Sequence, residues 1–253
     1  MQTSVAALLF FAGVAGGAIN AVAGGATLIT FPAMLAAGLP PVVANASNAV
    51  AISPGHLLAA IADNDKFPAI DRWLCGAIAI ATLGGTIGAL LLIALPERLF
   101  VLPVPALIAF STALFAFAPA IQARSIRHAR ETKSSTLAEL GSLAGVAVYG
   151  GFFGAGLGIM LTALLSIVVP DDIRRVKVLK NLLATAVSLA AIMIFIVQGA
   201  VWWTQTILML SGAAVGGYAG GHMVRVLPAT MIRRIVIGAG SVMSVVYAAK
   251  YWF

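Results

Sequence analysis

Apolar runs of about twenty residues recur from one end of this chain to the other, and short loops separate them. That pattern limits the fold more than any other feature, because a helix of about 20 apolar residues is what a bilayer crossing requires. Hydrophobic residues make up 61% of the 253 positions and charged residues only 9%, against roughly 25% charged in an ordinary soluble domain. So few charges cannot cover a soluble surface. The composition excludes a cytosolic enzyme, a disordered tail and a secreted disulfide scaffold. It leaves a polytopic all-α membrane protein with about eight to ten crossings. The single cysteine, Cys75, cannot close an intrachain disulfide.

The net charge of +7 and pI near 10.1 do not indicate nucleic acid. The basic residues sit between apolar runs, where positive loop charge sets membrane orientation. No cleavable signal peptide is expected, since Met1-Gln-Thr-Ser lacks a basic n-region and the apolar run continues beyond it.

The apolar segments fall into two series. The first holds A (Val5 to Ala23), B (Gly25 to Gly38), C (Val42 to Ala62), D (Trp73 to Leu95) and E (Leu99 to Ala120). The second holds A′ (Leu137 to Ala155), B′ (Leu157 to Val169), C′ (Val176 to Val197), D′ (Trp203 to His222) and E′ (Ala229 to Ala249). An offset of 133 positions places Gly17 on Gly150, Gly25 on Gly158, Leu28 on Leu161 and Asn48 on Asn181. An offset of 132 places Gly84, Gly85 and Gly88 on Gly216, Gly217 and Gly220, and Leu95-Pro96 on Leu227-Pro228. The near-constant offset predicts an internal repeat: a first membrane repeat over 1–120, a basic cytoplasmic linker over 121–136 and a second membrane repeat over 137–253.

Loop charge orients the halves. The central linker carries Arg124, Arg127, Arg130 and Lys133, and the B′–C′ region carries Arg174, Arg175, Lys177 and Lys180. The D′–E′ region adds Arg225, Arg233 and Arg234, whereas the C′–D′ turn is uncharged. Counting crossings from a cytoplasmic linker puts the C–D loop inside, despite Asp63, Asp65 and Asp71 beside Lys66 and Arg72. The halves then have inverted topology, with both termini outside the cytoplasm of an inner-membrane protein. Trp73, Trp202, Trp203, Tyr251 and Trp252 lie at segment ends, as interfacial anchors do.

Segments B and B′ are too short to span a hydrocarbon core of about 30 Å as helices. Ala23-Gly24-Gly25 precedes B, and a run of five glycines between Gly150 and Gly158 leads into B′. Short, glycine-interrupted segments at matching positions of two halves point to a transporter binding site, and predict broken or re-entrant helices there. Glycines such as Gly84, Gly88, Gly216 and Gly220 are better explained by close helix packing. Gly150 to Gly158 is no nucleotide loop, because no strand precedes it.

Polar residues inside the apolar segments complete the pattern. Asn45, Asn48 and His56 share one arc of helix C, unless Pro54-Gly55 kinks it; Lys177, Asn181 and Ser188 share an arc of C′. Asn48 and Asn181 are either interhelical hydrogen-bonding groups or cavity ligands. Lys177 reads as a snorkelling side chain and the deeper Lys180 as a cavity residue. His56 is a core histidine or a proton relay; His128 and His222 lie in the linker and near a segment end. Acidic residues occupy loops (Asp171, Asp172, Glu97, Glu131) or a helix start (Glu139). A site with lysine, amides and short-helix N-termini but no deep carboxylate favours an anion.

These residues resemble the TauE/SafE family, also called the 4-toluene sulfonate uptake permeases. The resemblance rests on Asn20-Ala-Val-Ala-Gly-Gly25, Pro32, Gly38-Leu-Pro-Pro41-Val-Val-Ala44 and Asn45-Ala-Ser-Asn48. In the second half it rests on Tyr149-Gly-Gly-Phe-Phe-Gly-Ala-Gly-Leu-Gly158 and Lys180-Asn181. It implies a polytopic transporter of sulfur oxyanions such as sulfite or organosulfonates, often an exporter. The expected substrate site is Gly25, Thr27, Asn48, Gly158, Lys180 and Asn181, with His56 as a candidate for proton coupling. No cofactor, metal or nucleic acid is expected; the partners are a small anion, lipid and a homo-oligomer at most. A transporter or channel for a non-sulfur anion such as a small carboxylate is the alternative. An embedded enzyme is disfavoured, since HExxH, GxSxG, CxxC and paired intramembrane carboxylates are missing.

Overall fold

The computed structural model describes residues 2–22, 25–62, 71–131, 135–169, 172–223 and 229–253. Gly24, Asp63, Asp65, Lys66, Lys133, Asp171, Arg225 and Leu227-Pro228 lie outside them, as do the side chains of Arg130 and His222. The described residues form helices and connecting turns. In order these are α1 (Thr3–Val22), α2 (Thr27–Ala36), α3 (Pro41–Ile52), α4 (Pro54–Ala62), α5 (Arg72–Ala94), α6 (Glu97–Val101) and α7 (Val104–Glu131). They continue as α8 (Thr136–Phe152), α9 (Leu157–Val168), α10 (Ile173–Val197), α11 (Trp203–Met223) and α12 (Ala229–Trp252).

Among the described residues, five stretches are long and apolar enough to cross a bilayer: Thr3–Asn20, Arg72–Ala94, Glu97–Ala129, Arg174–Val197 and Thr230–Trp252. Large apolar side chains such as Phe11, Leu83, Leu91, Phe117 and Val245 stand exposed on the outside of these helices. In water that surface would be a large aggregation-prone patch; against lipid it is the expected solvent contact. The protein is a multi-pass helical membrane protein.

Helix order repeats across the chain, and so does packing. The closest pairs are α1 with α11 and α5 with α8. If α1 corresponds to α8 and α5 to α11, a two-fold relation turns one pair into the other. The reciprocal packing therefore agrees with the inverted repeat read from sequence. Glycine makes both crossings possible. A Cβ on Gly17 would meet the Ala213 carbonyl, and one on Gly216 the Val14 carbonyl. In the other pair, a Cβ on Gly88 would meet the Val148 carbonyl and one on Gly151 the Gly85 carbonyl. Close backbone contact of this kind is what small-xxx-small spacing provides.

The halves differ in their third segment. In the first half it breaks into α3 and α4 at Pro54, which supplies no N–H to the preceding turn. Its counterpart α10 runs unbroken through 25 residues. The basic stretch after Ala120 is helical to Glu131, because α7 continues through it. There it leaves Arg124, Arg127 and His128 exposed.

Candidate functional site

Two short helices define the site. α2 has 10 residues and α9 has 12, about 15 and 18 Å at 1.5 Å per residue, so neither spans a hydrocarbon core. The chain enters α2 through Gly25 at φ +117° and α9 through Gly154 and Gly156 at φ +76° and +85°. Side chains rarely adopt those left-handed values, which explains glycine at these breaks. The two predicted backbone breaks are thus present, one in each half.

The starts of these helices are left open. Asp71, Ser135 and Asp172 cap α5, α8 and α10 by accepting from Leu74, Ala138 and Arg175 N–H at 2.7, 3.2 and 2.9 Å. α2 and α9 have no side-chain cap. Among the described residues, no main-chain acceptor takes the N–H of Thr27 or Gly158. Helix starts carry orphan donors and a partial positive charge.

Both open starts face one cavity of about 330 Å³. Gly25, Thr27, His56, Gly158 and Lys180 line it, so it brings together five of the seven residues expected from sequence. Lys180 reaches it beside the α9 start: a Cβ on Gly158 would stand 3.9 Å from Lys180 Cδ. Lys177 also lines it, and its side chain is exposed. Among the described residues, the lining contains two lysines and no carboxylate.

Asn48 and Asn181 stand apart from this cavity. Asn48 lines a smaller one beside it, and its Nδ2 lies 3.5 Å from Thr27 Oγ1. Asn181 is buried, lines neither cavity, and leaves its Nδ2 without a partner. A helix turns by 100° per residue, so Lys180 and Asn181 cannot both face the same point. Packing of α10 onto α5, α8 and α9 selects Lys180.

The sequence reading passed over Asn20, Gln122 and Thr162 as lining residues. Asn20 lies at the end of α1 and carried a signal, since it opens the Asn20–Gly25 block. Gln122 looked like linker because the apolar run ends just before it. Thr162 gave little signal: its hydroxyl donates to the Gly158 carbonyl at 2.7 Å and is hidden in an apolar helix.

Side chains fix the second break from outside the cavity. Tyr149 OH donates to the Ala155 carbonyl at 2.7 Å, and Ser111 Oγ lies 2.9 Å from the same hydroxyl. Asn45 Nδ2 donates to the Phe152 carbonyl at 2.9 Å, tying α3 to this turn. Ser111 Oγ also lies 3.1 Å from the Ala155 carbonyl, so Tyr149→Phe should lower stability by about 1 kcal/mol, the loss of one hydrogen bond. Thermal unfolding in detergent measures this; an unchanged midpoint would mean the turn holds its shape without the tyrosine.

Spanning helices around a polar cavity, with a broken helix from each half opening into it, define a polytopic membrane transporter. The chain belongs to the sulfite exporter TauE/SafE family, whose model matches residues 9–247. It is similar to a probable membrane transporter protein of Haemophilus influenzae, 29% identical over 96% of this chain and 93% of the relative. It is also similar to the probable membrane transporter protein YfcA of Escherichia coli (strain K12), 26% identical over 94% of this chain and 87% of the relative. No solved structure matches the chain.

Proposed function

We propose that this transporter carries a small sulfur-containing anion, sulfite or an organosulfonate, outward across the inner membrane by alternating access. The observation that carries the anion reading is the cavity where two uncapped helix starts meet Lys177 and Lys180, with no carboxylate among the described lining residues. Ammonium groups attract an oxyanion, and open N–H groups donate to it. The family resemblance narrows the anion to sulfur chemistry. The family resemblance also supports the export direction; Lys177 and Gln122 belong to the basic ends of α10 and α7, which loop charge puts on the cytoplasmic side.

Detergent-purified protein should be stabilised by one sulfur oxyanion out of a panel of sulfite, sulfate, thiosulfate, organosulfonates, small carboxylates and chloride. Mass action gives about 2.7 kcal/mol at a hundredfold excess over the dissociation constant. Lys180→Ala should remove that stabilisation and slow flux in proteoliposomes about 30-fold or more, as loss of a buried charged partner does. Preferential stabilisation by a carboxylate would replace the sulfur reading, and full flux in Lys180→Ala would remove the site.

A further inference from the structure

We propose that the smaller cavity beside the anion cavity is a binding site for a monovalent cation of sodium's size. It encloses about 40 Å³, above the 10–15 Å³ that one water needs. Asn45 and Asn48 line it, each only 2% exposed. Among the described residues, the Oδ1 atom of each has no hydrogen-bond donor. Two buried, unpaired acceptors in one small cavity require an occupant that supplies positive charge or protons.

The surrounding backbone has the same polarity. The cavity is lined by the end of α3 (Ala49, Ile52, Ser53), where the Ala49 and Ser53 carbonyls already accept from the N–H groups of Ser53 and His56, and by the end of α8 (Gly150, Gly151). Helix C-termini carry partial negative charge and free carbonyls. No main-chain N–H among the described residues reaches the carbonyls of Gly150 or Gly151. Helix starts therefore open into the larger cavity, and helix ends into the smaller one. Neutral oxygens of amides, carbonyls and Ser188 suit a monovalent ion, whereas divalent calcium draws carboxylates. Among the described residues, no lysine lines this cavity and His56 is its one titratable side chain.

Thr27, His56, Gly154 and Leu157 line both cavities. A cation on one side of this wall lowers the cost of an anion on the other, which would couple the two without an intramembrane carboxylate. The coupling rests on the proposed anion transport; the cation site does not.

The test is thermal unfolding of the full chain in detergent, without substrate, in sodium, potassium or N-methylglucamine chloride at constant ionic strength. Sodium should raise the midpoint saturably, by about 3 °C or more, with potassium weaker. Asn48→Leu should abolish the shift, and Asn48→Asp, which adds a charge, should move saturation to lower sodium. Identical midpoints of the wild type in all three salts would overturn the site and leave ordered water as its occupant. This titration decides even if neither variant folds. Proteoliposome flux of the stabilising anion should then rise with an imposed sodium gradient; sodium binding without that dependence would overturn the coupling alone.

Discussion

Gly216→Val is expected to yield little or no folded protein. Gly216 faces the main chain of α1, and a Cβ there would overlap the Val14 carbonyl. The obstacle is backbone, which no rotamer change relieves, so α1 and α11 would have to separate along their contact. Overpacking a core costs about 1–3 kcal/mol where side chains can adjust; here the cost should exceed about 3 kcal/mol. Gly145→Ala in α8 is the control, since a Cβ at Gly145 meets nothing within 4 Å. Size-exclusion profiles and thermal midpoints of the two variants measure the contrast. A normally folded Gly216→Val protein would refute the close α1–α11 crossing.

Arg233→Ala is expected to have the next largest effect, and the cause lies on another helix. Pro119 interrupts α7 and has no N–H for the Phe115 carbonyl one turn earlier. Arg233 of α12 fills that vacancy. Its Nε donates to the Phe115 carbonyl at 3.1 Å, and its Nη2 donates to the Ala116 carbonyl. The same segment borders the site: the Phe115 ring packs against Gly25, while Ala118 and Gln122 line the larger cavity. Hydrogen bonds to a charged donor are worth about 1.5–3 kcal/mol each, so Arg233→Ala should cost about 3 kcal/mol. Pro119→Ala restores a backbone N–H to the Phe115 carbonyl. In that background Arg233→Ala should cost at least about 1 kcal/mol less. A double-mutant cycle with no coupling would show that the guanidinium and the proline act independently.

Arg233 also shows where sequence reading falls short. As a basic residue near a segment start it counted toward membrane orientation together with Arg234. Arg234 is exposed, as that role requires, but Arg233 is half-buried against α7. One residue of helix rotation separates the two fates. The same rotation puts Lys180 in the cavity and Asn181 outside it, although the two adjoin in sequence and both looked like ligands. Asn45, Asn48 and His56 were expected on one arc unless Pro54-Gly55 kinked the helix; the helix does break at Pro54, and all three still line one cavity.

By itself the sequence determined the membrane-spanning helical class, the shortness of α2 and α9, and the glycine breaks before them. These follow from local physics: the length of apolar runs, the shortage of charge, and backbone angles that favour glycine. Only the tertiary structure decided which faces meet. It brought the starts of α2 and α9 to one cavity, turned Lys180 toward it, and left the acceptors of Asn45 and Asn48 in a second one. Periodicity states which residues share a face of a helix, but the neighbour of that face is set by packing between helices far apart in the chain.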